Sequence, residues 1–171
     1  MKLRYPIALS APLLGSHAMA ADLNVTIDIP QIKTAEYHKP YLAVWLEKPD
    51  QTFAANLAVL YDLKKKDNAG TKWLKDMRQW WRKSGRDLTM PVDGVSGATR
   101  APGEHTFGFS LGKAPLGNLP AGEYQLVVEA SREAGGREVV KVPFTWPAKS
   151  AKTTSAQGQE ELGKVVVQVK P

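Results

Sequence analysis

The stretch Asp93-Gly94-Val95-Ser96-Gly97-Ala98-Thr99 concentrates the residue types of this chain that could take part in chemistry. It offers the hydroxyl groups of Ser96 and Thr99 among small residues, with a carboxylate six positions before the last hydroxyl. A threonine hydroxyl is a poor nucleophile unless another group activates it. Asp93 is too weak a base to do so alone, and a turn cap or a recognition contact suits it better. The stretch therefore supplies a hydroxyl that another protein could modify.

The small residues of this stretch favour access to the backbone. Gly97 and Ala98 leave the approach to Thr99 uncrowded, and Gly94 allows the chain to turn. The same residues also describe a simple tight turn, Ser96 to Thr99, followed by Pro102-Gly103. From these residues alone, an accessible acceptor hydroxyl at Thr99 and a simple tight turn are equally good interpretations.

The pattern Asp-x-x-Ser-Gly-Ala-Thr resembles the flavinylation signature of FMN-carrying subunits in bacterial ion-pumping oxidoreductases. In that family a separate magnesium-dependent flavin transferase uses FAD as donor, joins the FMN phosphate to the last Thr or Ser, and releases AMP. The resemblance implies that Thr99 carries covalent FMN as a phosphoester. It also implies that Ser96, Gly97 and Ala98 form the tripeptide that the transferase recognises, and that Asp93 is the preceding acidic position.

The chain as a whole resembles a family of predicted periplasmic proteins of unknown function. Members of that family resemble partners of flavin transferases and of membrane proteins with PepSY-type reductase domains. The resemblance implies an extracytosolic flavoprotein in electron transfer, linked to iron- or haem-dependent reduction. The matching landmarks are Tyr41-Leu42-Ala43-Val44-Trp45, Lys72-Trp73-Leu74, Trp80, Asp93 to Gly103, Gly122-Glu123-Tyr124, Val128 to Glu133 and Gly163 to Pro171.

The cysteine and histidine content limits the cofactors that this chain can hold. The absence of cysteine excludes disulfides, iron–sulfur clusters, thiolate metal sites and haem attached through Cys-x-x-Cys-His. Any covalent cofactor must be attached to an oxygen or a nitrogen. His38 and His105 lack metal-ligand spacing, so no metal site is expected. No Ser-His-Asp set, paired carboxylates or phosphate-binding glycine loop is recognisable, which favours a carrier over an enzyme.

Residues 1–20 have the features of a secretory signal peptide. Lys2 and Arg4 precede a short apolar core, and Ala18-Met19-Ala20 matches a cleavage site. Their removal leaves a formal net charge of about +4, too small and too scattered to indicate nucleic-acid binding. No segment reaches the roughly 20 apolar residues of a membrane span. The sequence therefore predicts an exported, periplasmic protein with one domain over residues 21–171.

Alternating apolar residues predict several strands. Leu23, Val25, Ile27 and Ile29 form one such pattern, and a hairpin is expected from the apolar runs Tyr41 to Glu47 and Phe53 to Tyr61. Further strands are expected at His105 to Leu111, from Glu123-Tyr124 to Ala130, at Arg137 to Trp146 and at Leu162 to Val169. About seven strands in all predict a mainly β, immunoglobulin-like β-sandwich.

The tryptophans mark the one predicted helix, a short amphipathic segment between Thr71 and Lys83. Trp73, Leu74, Met77, Trp80 and Trp81 recur at helical spacing, with Thr71 as a candidate cap. We expect Trp73 in the core. Because Trp80 and Trp81 are adjacent, they cannot both point inward equally, and either is a candidate flavin contact. The basic residues Arg78, Arg82, Lys83 and Arg86 could meet the FMN phosphate or an acidic partner, although a solvated face explains them more simply.

Two segments are predicted to lack regular structure. Residues 84–104 contain the acceptor-like motif, and a loop of this length is more often functional than idle. Pro147 to Gln159 is polar and is expected to form an exposed loop. The resulting hypothesis is a periplasmic flavoprotein that carries electrons between a membrane reductase and a periplasmic acceptor. The alternative is a non-redox binding or assembly module whose 84–104 loop contacts a partner.

Overall fold

Two β-sheets pack face to face in the computed structural model, which describes residues 21–171. The predicted signal peptide lies outside the described residues. The first sheet has the order β5 (Gly103–Ser110), β1 (Asp22–Ile29), β9 (Lys164–Lys170), β8 (Lys152–Gln157). The second has the order β4 (Ser96–Ala98), β3 (Phe53–Tyr61), β2 (Tyr41–Glu47), β6 (Gly122–Ser131), β7 (Arg137–Trp146). The predicted β-sandwich is confirmed. All neighbouring strands are antiparallel except β3 and β4.

Strand β1 shows the alternation that the sequence predicts. Leu23, Val25, Ile27 and Ile29 are buried between the sheets, and the residues between them are only partly covered. Because successive side chains point to opposite faces of a strand, this pattern places one face of β1 on the core and the other toward solvent.

Strand β2 is buried on both faces. Leu42, Val44 and Leu46 pack between the two sheets, whereas Tyr41, Ala43 and Trp45 belong to a second apolar cluster on the other face of their sheet. That second cluster is closed by Leu74, Met77 and Trp80 from the helical segment that follows β3. The protein therefore has three layers, two sheets and a helical layer, and the helical layer covers the second sheet.

The helical layer differs from the single helix predicted between Thr71 and Lys83. It consists of a 3₁₀ segment (Lys66–Asp76), helix α1 (Arg78–Lys83) and a 3₁₀ turn (Gly85–Asp87). Met77 separates the first two because its backbone is not helical, with φ −77° and ψ 74°. Thr71 is not an N-cap of α1; its hydroxyl donates to the carbonyl of Asn68.

The start of α1 depends on a residue far away in sequence. The Glu129 carboxylate of β6 accepts hydrogen bonds from the backbone N–H groups of Gln79 and Trp80, at 3.1 and 2.7 Å. Arg137 neutralises this fully buried carboxylate through an Nη1–Oε1 contact of 2.6 Å. A carboxylate at the first turn satisfies donors that a helix leaves without intrahelical partners. This tie fixes α1 on the second sheet.

Both segments predicted to lack regular structure contain a strand. Residues 84–104 include β4, which pairs in parallel with the end of β3. The expected Pro147 to Gln159 loop includes β8, an exposed strand at the edge of the first sheet. Its polar sequence reflects its exposure and not a lack of structure, since an edge strand of a sandwich can be largely exposed.

Strand β6 begins with a feature typical of immunoglobulin-like sandwiches. The Tyr124 hydroxyl donates to the Pro120 carbonyl, four residues earlier, at 2.8 Å. This is the geometry of the tyrosine corner found in such domains. The β6–β7 hairpin turns at Gly135-Gly136 and is closed by hydrogen bonds between Arg132 and both glycines.

We expect the protein to lose stability in acid because of Glu138 on β7. Burial raises the pKa of this carboxyl, but the backbone N–H groups of residues 159–162 outweigh burial and hold it below the ordinary value. Because the folded pKa is the lower one, this stabilisation is complete above the unfolded pKa of about 4.3 and is lost as pH falls through the folded pKa.

Urea unfolding between pH 7 and pH 3 measures this effect. Glu138→Gln should flatten the acid limb of the stability profile, and Glu104→Gln, at an exposed position, should leave it unchanged. Profiles of identical slope for wild type and Glu138→Gln would contradict the assignment.

Candidate functional site

Thr99 follows directly after β4, at the open edge of the second sheet. Ser96, Gly97 and Ala98 lie opposite Val59, Leu60 and Tyr61 of β3, and the Thr99 backbone N–H donates to the Tyr61 carbonyl at 3.3 Å. Thr99 itself is partly exposed. The acceptor-like residue thus directly follows a strand paired with the sheet, and its own backbone N–H is bonded to β3.

The turn that leads into β4 uses the motif's own hydroxyl. Ser96 Oγ accepts a hydrogen bond from the Val92 N–H at 2.8 Å, while the Ser96 N–H donates to the Val92 carbonyl at 2.9 Å. Gly94 has φ +71°, which suits glycine, as the sequence predicts. Buried Val95 anchors the turn in the second apolar cluster. Ser96 therefore has a structural role besides any role in recognition.

Packing against β3 also favours a glycine at position 97. A Cβ at this position would lie 2.7 Å from Leu60 Cδ2, so the side chain of Leu60 would have to move. Asp93 and Ala98, in contrast, are exposed. Gly94 is exposed as well, and Thr99 is partly exposed, so these positions of the motif are open to a second protein.

Two cavities meet at Thr99. The larger has a volume of about 690 Å³, within the range of about 300–1,000 Å³ typical of small-molecule sites. Its wall comes from the segment before β2, from the helical layer and from residues 131–137 of the β6–β7 hairpin. The smaller, about 450 Å³, is lined by Ala98, Thr99, Tyr61, Asp62, Leu63 and three lysines, Lys39, Lys64 and Lys65.

Arg132 is the buried charge of the larger cavity. Its Nε and Nη2 donate to Glu161 at 2.8 and 3.0 Å, and its side chain is only 7% exposed. The hydrogen bonds to Glu161 raise the pKa of Arg132, so the guanidinium is always charged. Within residues 21–171 its Nη1 has no hydrogen-bond partner, and neither has the buried hydroxyl of Tyr37. Leaving a buried polar group unpaired costs about 1–3 kcal/mol.

The phenols of the larger cavity are neutral donors at physiological pH. Burial raises the pKa of Tyr41 to about 12. It also raises the pKa of Tyr37, whose ring centroid lies 6.0 Å from the Arg132 guanidinium carbon. Tyr41 already donates to the Gly70 carbonyl at 3.1 Å. Tyr37 thus remains available to a ligand that carries an acceptor.

The tryptophans are arranged differently from the expectation. Trp80 is fully buried and its indole N–H donates to Asn56 at 2.9 Å, so no face of it is open to a flavin. Trp81 is partly buried against the same cluster. Trp73, expected in the core, is 38% exposed and lines the larger cavity. The break at Met77 turns Trp73 away from the face that Leu74, Met77 and Trp80 share.

The basic residues that are close together in the sequence near the motif have different surroundings in the fold. Of the cluster Arg78, Arg82, Lys83 and Arg86, only Arg78 lines the larger cavity. Lys83 pairs with the buried Glu47 at 3.2 Å. His38 lies in the cavity wall, 3.4 Å from Glu36 and 3.7 Å from Glu133, whereas His105 contacts the Ala101 carbonyl at 2.7 Å. Among residues 21–171, no group of three potential ligand side chains is placed to hold a metal.

The site includes residues that sequence reasoning missed. No motif in the sequence indicates a site role for Tyr37, Arg132 or the lysines Lys64 and Lys65. The resemblance landmark Val128 to Glu133 did contain Arg132, which was the one available signal. Nothing in the sequence placed Tyr37 beside it, because their contact depends on the sheet order.

Fold and site together define a β-sandwich protein that presents a threonine at the end of an edge strand, where it lines two cavities. A family model described as "Predicted periplasmic protein (DUF2271)" matches residues 22–164. The chain belongs to this family, and the periplasmic location expected from the sequence agrees with the family description. Searches of curated proteins and of solved structures gave no match. Between Ala21 and Pro171, no helix is long and apolar enough to cross a membrane.

Proposed function

We propose that this protein is a periplasmic electron carrier with FMN joined covalently to Thr99, and that it is not itself an enzyme. The observation that carries the proposal is the position of Thr99, which lines both cavities at the end of an acceptor-like motif. A flavin transferase and a membrane-bound PepSY-type reductase are the partners that the sequence resemblance suggests. Bound FMN supplies reversible one- and two-electron transfer, and the protein supplies attachment and environment.

The residues present fit the group chemically. The lysines Lys39, Lys64 and Lys65 beside Thr99 suit the negative charge of a phosphate. Within residues 21–171, Tyr37 and Arg132 in the wall of the larger cavity each carry a buried donor atom without a partner, and a flavin ring carries several acceptor atoms. Trp73 adds an exposed aromatic face in the same wall. An aromatic ligand with one phosphate charge and several hydrogen-bond acceptors matches this combination.

The proposed attachment of FMN is a phosphoryl transfer and needs no oxidant or reductant. A bond forms between Thr99 Oγ and the FMN phosphorus as the pyrophosphate bond of FAD breaks, and AMP leaves. The threonine proton passes to a base of the transferase. An exposed edge position lets the transferase approach Thr99 and Ala98 from solvent.

Intact-mass spectrometry tests the proposal. The protein is incubated with a flavin transferase of proven activity, FAD and Mg²⁺, and each variant is treated in parallel. We expect the mass to increase by one FMN phosphoryl group in wild type and in Thr99→Ser, and not at all in Thr99→Ala. Thr89→Ala removes another exposed hydroxyl in the same connecting segment and should leave the modification intact.

The same experiment separates the carrier from the non-redox binding module. An unmodified wild-type chain, under conditions in which the transferase modifies an established acceptor, would overturn the carrier. Modification that persists in Thr99→Ala would move the attachment site elsewhere and overturn the assignment of Thr99.

A further inference from the structure

Trp73 is an unusual feature of the cavity wall. Among residues 21–171 it is the exposed large hydrophobic side chain, and both it and Thr99 line the larger cavity. Lys65 lies 5.6 Å from its ring centroid and also lines the smaller cavity. The two cavities are therefore linked by a lysine that touches an aromatic face on one side and approaches the acceptor strand on the other.

Tyr37 and Arg132 supply a second, independent feature. Arg132 is more than nine-tenths buried, two of its nitrogens are held by Glu161, and Nη1 is left without a partner in the described chain. The hydroxyl of Tyr37 is equally buried and unpaired. Both are donors, so the ligand that would satisfy them must present acceptors, such as carbonyl oxygens or unprotonated ring nitrogens.

We propose that the larger cavity is the seat of the isoalloxazine ring, with Trp73 against the ring and Tyr37 and Arg132 donating to acceptors of its pyrimidine end. The smaller, lysine-lined cavity takes the phosphate. This inference rests on the proposed attachment of FMN to Thr99. It makes Trp73, Tyr37 and Arg132 positioning residues, and it replaces Trp80 and Trp81 as the flavin contacts.

The arrangement also predicts the direction in which the protein tunes the cofactor. Reduction places negative charge near the pyrimidine end of a flavin. Hydrogen bonds donated by Tyr37 and by Arg132 Nη1 at that end strengthen as the acceptors gain negative charge, although Glu161 balances the formal charge of Arg132. The protein should therefore hold the midpoint potential above that of a solvent-exposed FMN attached to the same threonine.

Tyr37→Phe tests the donor role with two readouts. In the unmodified protein the loss of this hydroxyl should leave the thermal midpoint unchanged or raised, because the oxygen has no partner there. In the flavinylated protein, verified by intact mass, the midpoint potential should shift to a more negative value. Tyr124→Phe is the matched control: it loses the bond to Pro120 and should lower the thermal midpoint without moving the potential.

Trp73 is tested by flavin fluorescence. An indole in contact with a flavin quenches its emission by electron transfer, so Trp73→Ala should raise the emission yield and change the visible circular dichroism of mass-verified protein. Trp73→Phe should restore part of the dichroism but little of the quenching, and Trp81→Ala should change neither.

The outcomes separate the two proposals. If FMN is attached but Tyr37→Phe does not change its potential and Trp73→Ala does not change its emission or dichroism, this ring position is wrong. The covalent carrier would not be affected by that result. Failure of attachment in the mass experiment would overturn the carrier, and this inference with it.

Discussion

Glu161→Ala is expected to destabilise the protein by about 3–5 kcal/mol, the range found when one partner of a buried ion pair is removed. Glu161 is 4% exposed and binds Arg132 through both carboxylate oxygens. It also accepts from the Gly136 N–H at 2.7 Å. The substitution leaves a buried guanidinium without a counter-charge and the hairpin without its tie to the start of β9. Urea unfolding of the unmodified protein measures the loss.

Glu133→Ala is the matched control for this prediction. Its carboxylate belongs to the same hairpin, but its side chain is 53% exposed and its contact with His38 is 3.7 Å long. An exposed pair of this kind contributes little, so a change within about 0.5 kcal/mol is expected. Equal losses in the two variants would show that Glu161 stabilises the fold no more than an exposed carboxylate.

Trp80→Ala should have an effect of similar size by a different route. Trp80 is fully buried, fills the contact between α1 and the second sheet, and bonds to Asn56. Truncation of a large core aromatic costs about 3–5 kcal/mol because contacts are lost and a cavity remains. Since α1 and the 3₁₀ segment form one layer, we expect the thermal midpoint of the unmodified protein to fall, which circular dichroism measures.

Trp73→Ala provides the comparison within the same layer. This side chain is 38% exposed and its main partner is Lys65, so its removal should cost less than about 1 kcal/mol. A loss for Trp73→Ala as large as that for Trp80→Ala would contradict the assignment of one tryptophan to the core and the other to the cavity.

The strands were the part of the fold most readily predicted from sequence. In β1 every second residue is apolar, and burial alternates in the same way, so the local pattern contains the whole signal. Strand β8 was missed because it is exposed on both faces, and exposure removes the apolar alternation on which such predictions depend. Strand β4 was missed because three residues are too few to show a period.

The prediction of a single helix was wrong for a reason that no local sequence pattern contains. The start of α1 is satisfied by Glu129, which lies 49 residues further along the chain from Trp80. Met77 adopts a non-helical backbone between two segments whose sequence reads as one continuous helix. The exchange of roles between Trp73 and Trp80 follows directly from this break.

The candidate site, too, could be predicted from the sequence only in part. The motif from Asp93 to Thr99 is contiguous and could be found by inspection, but the cavities beside it are built from distant parts of the chain. Tyr37 and Arg132 come together because β2 and β6 are neighbours in the sheet. Ser96 and Gly97 show a further limit, since each has a packing or hydrogen-bonding reason that a motif alone does not reveal.

The short parallel strand β4 has a kinetic consequence. It contributes three residues at the margin of the second sheet, and its exit is secured by one long hydrogen bond, from Thr99 to Tyr61. Amides at such margins exchange with solvent through local opening, well below the free energy of global unfolding. Hydrogen exchange should therefore find the amides of β4 among the fastest of the second sheet, with the sandwich folded throughout.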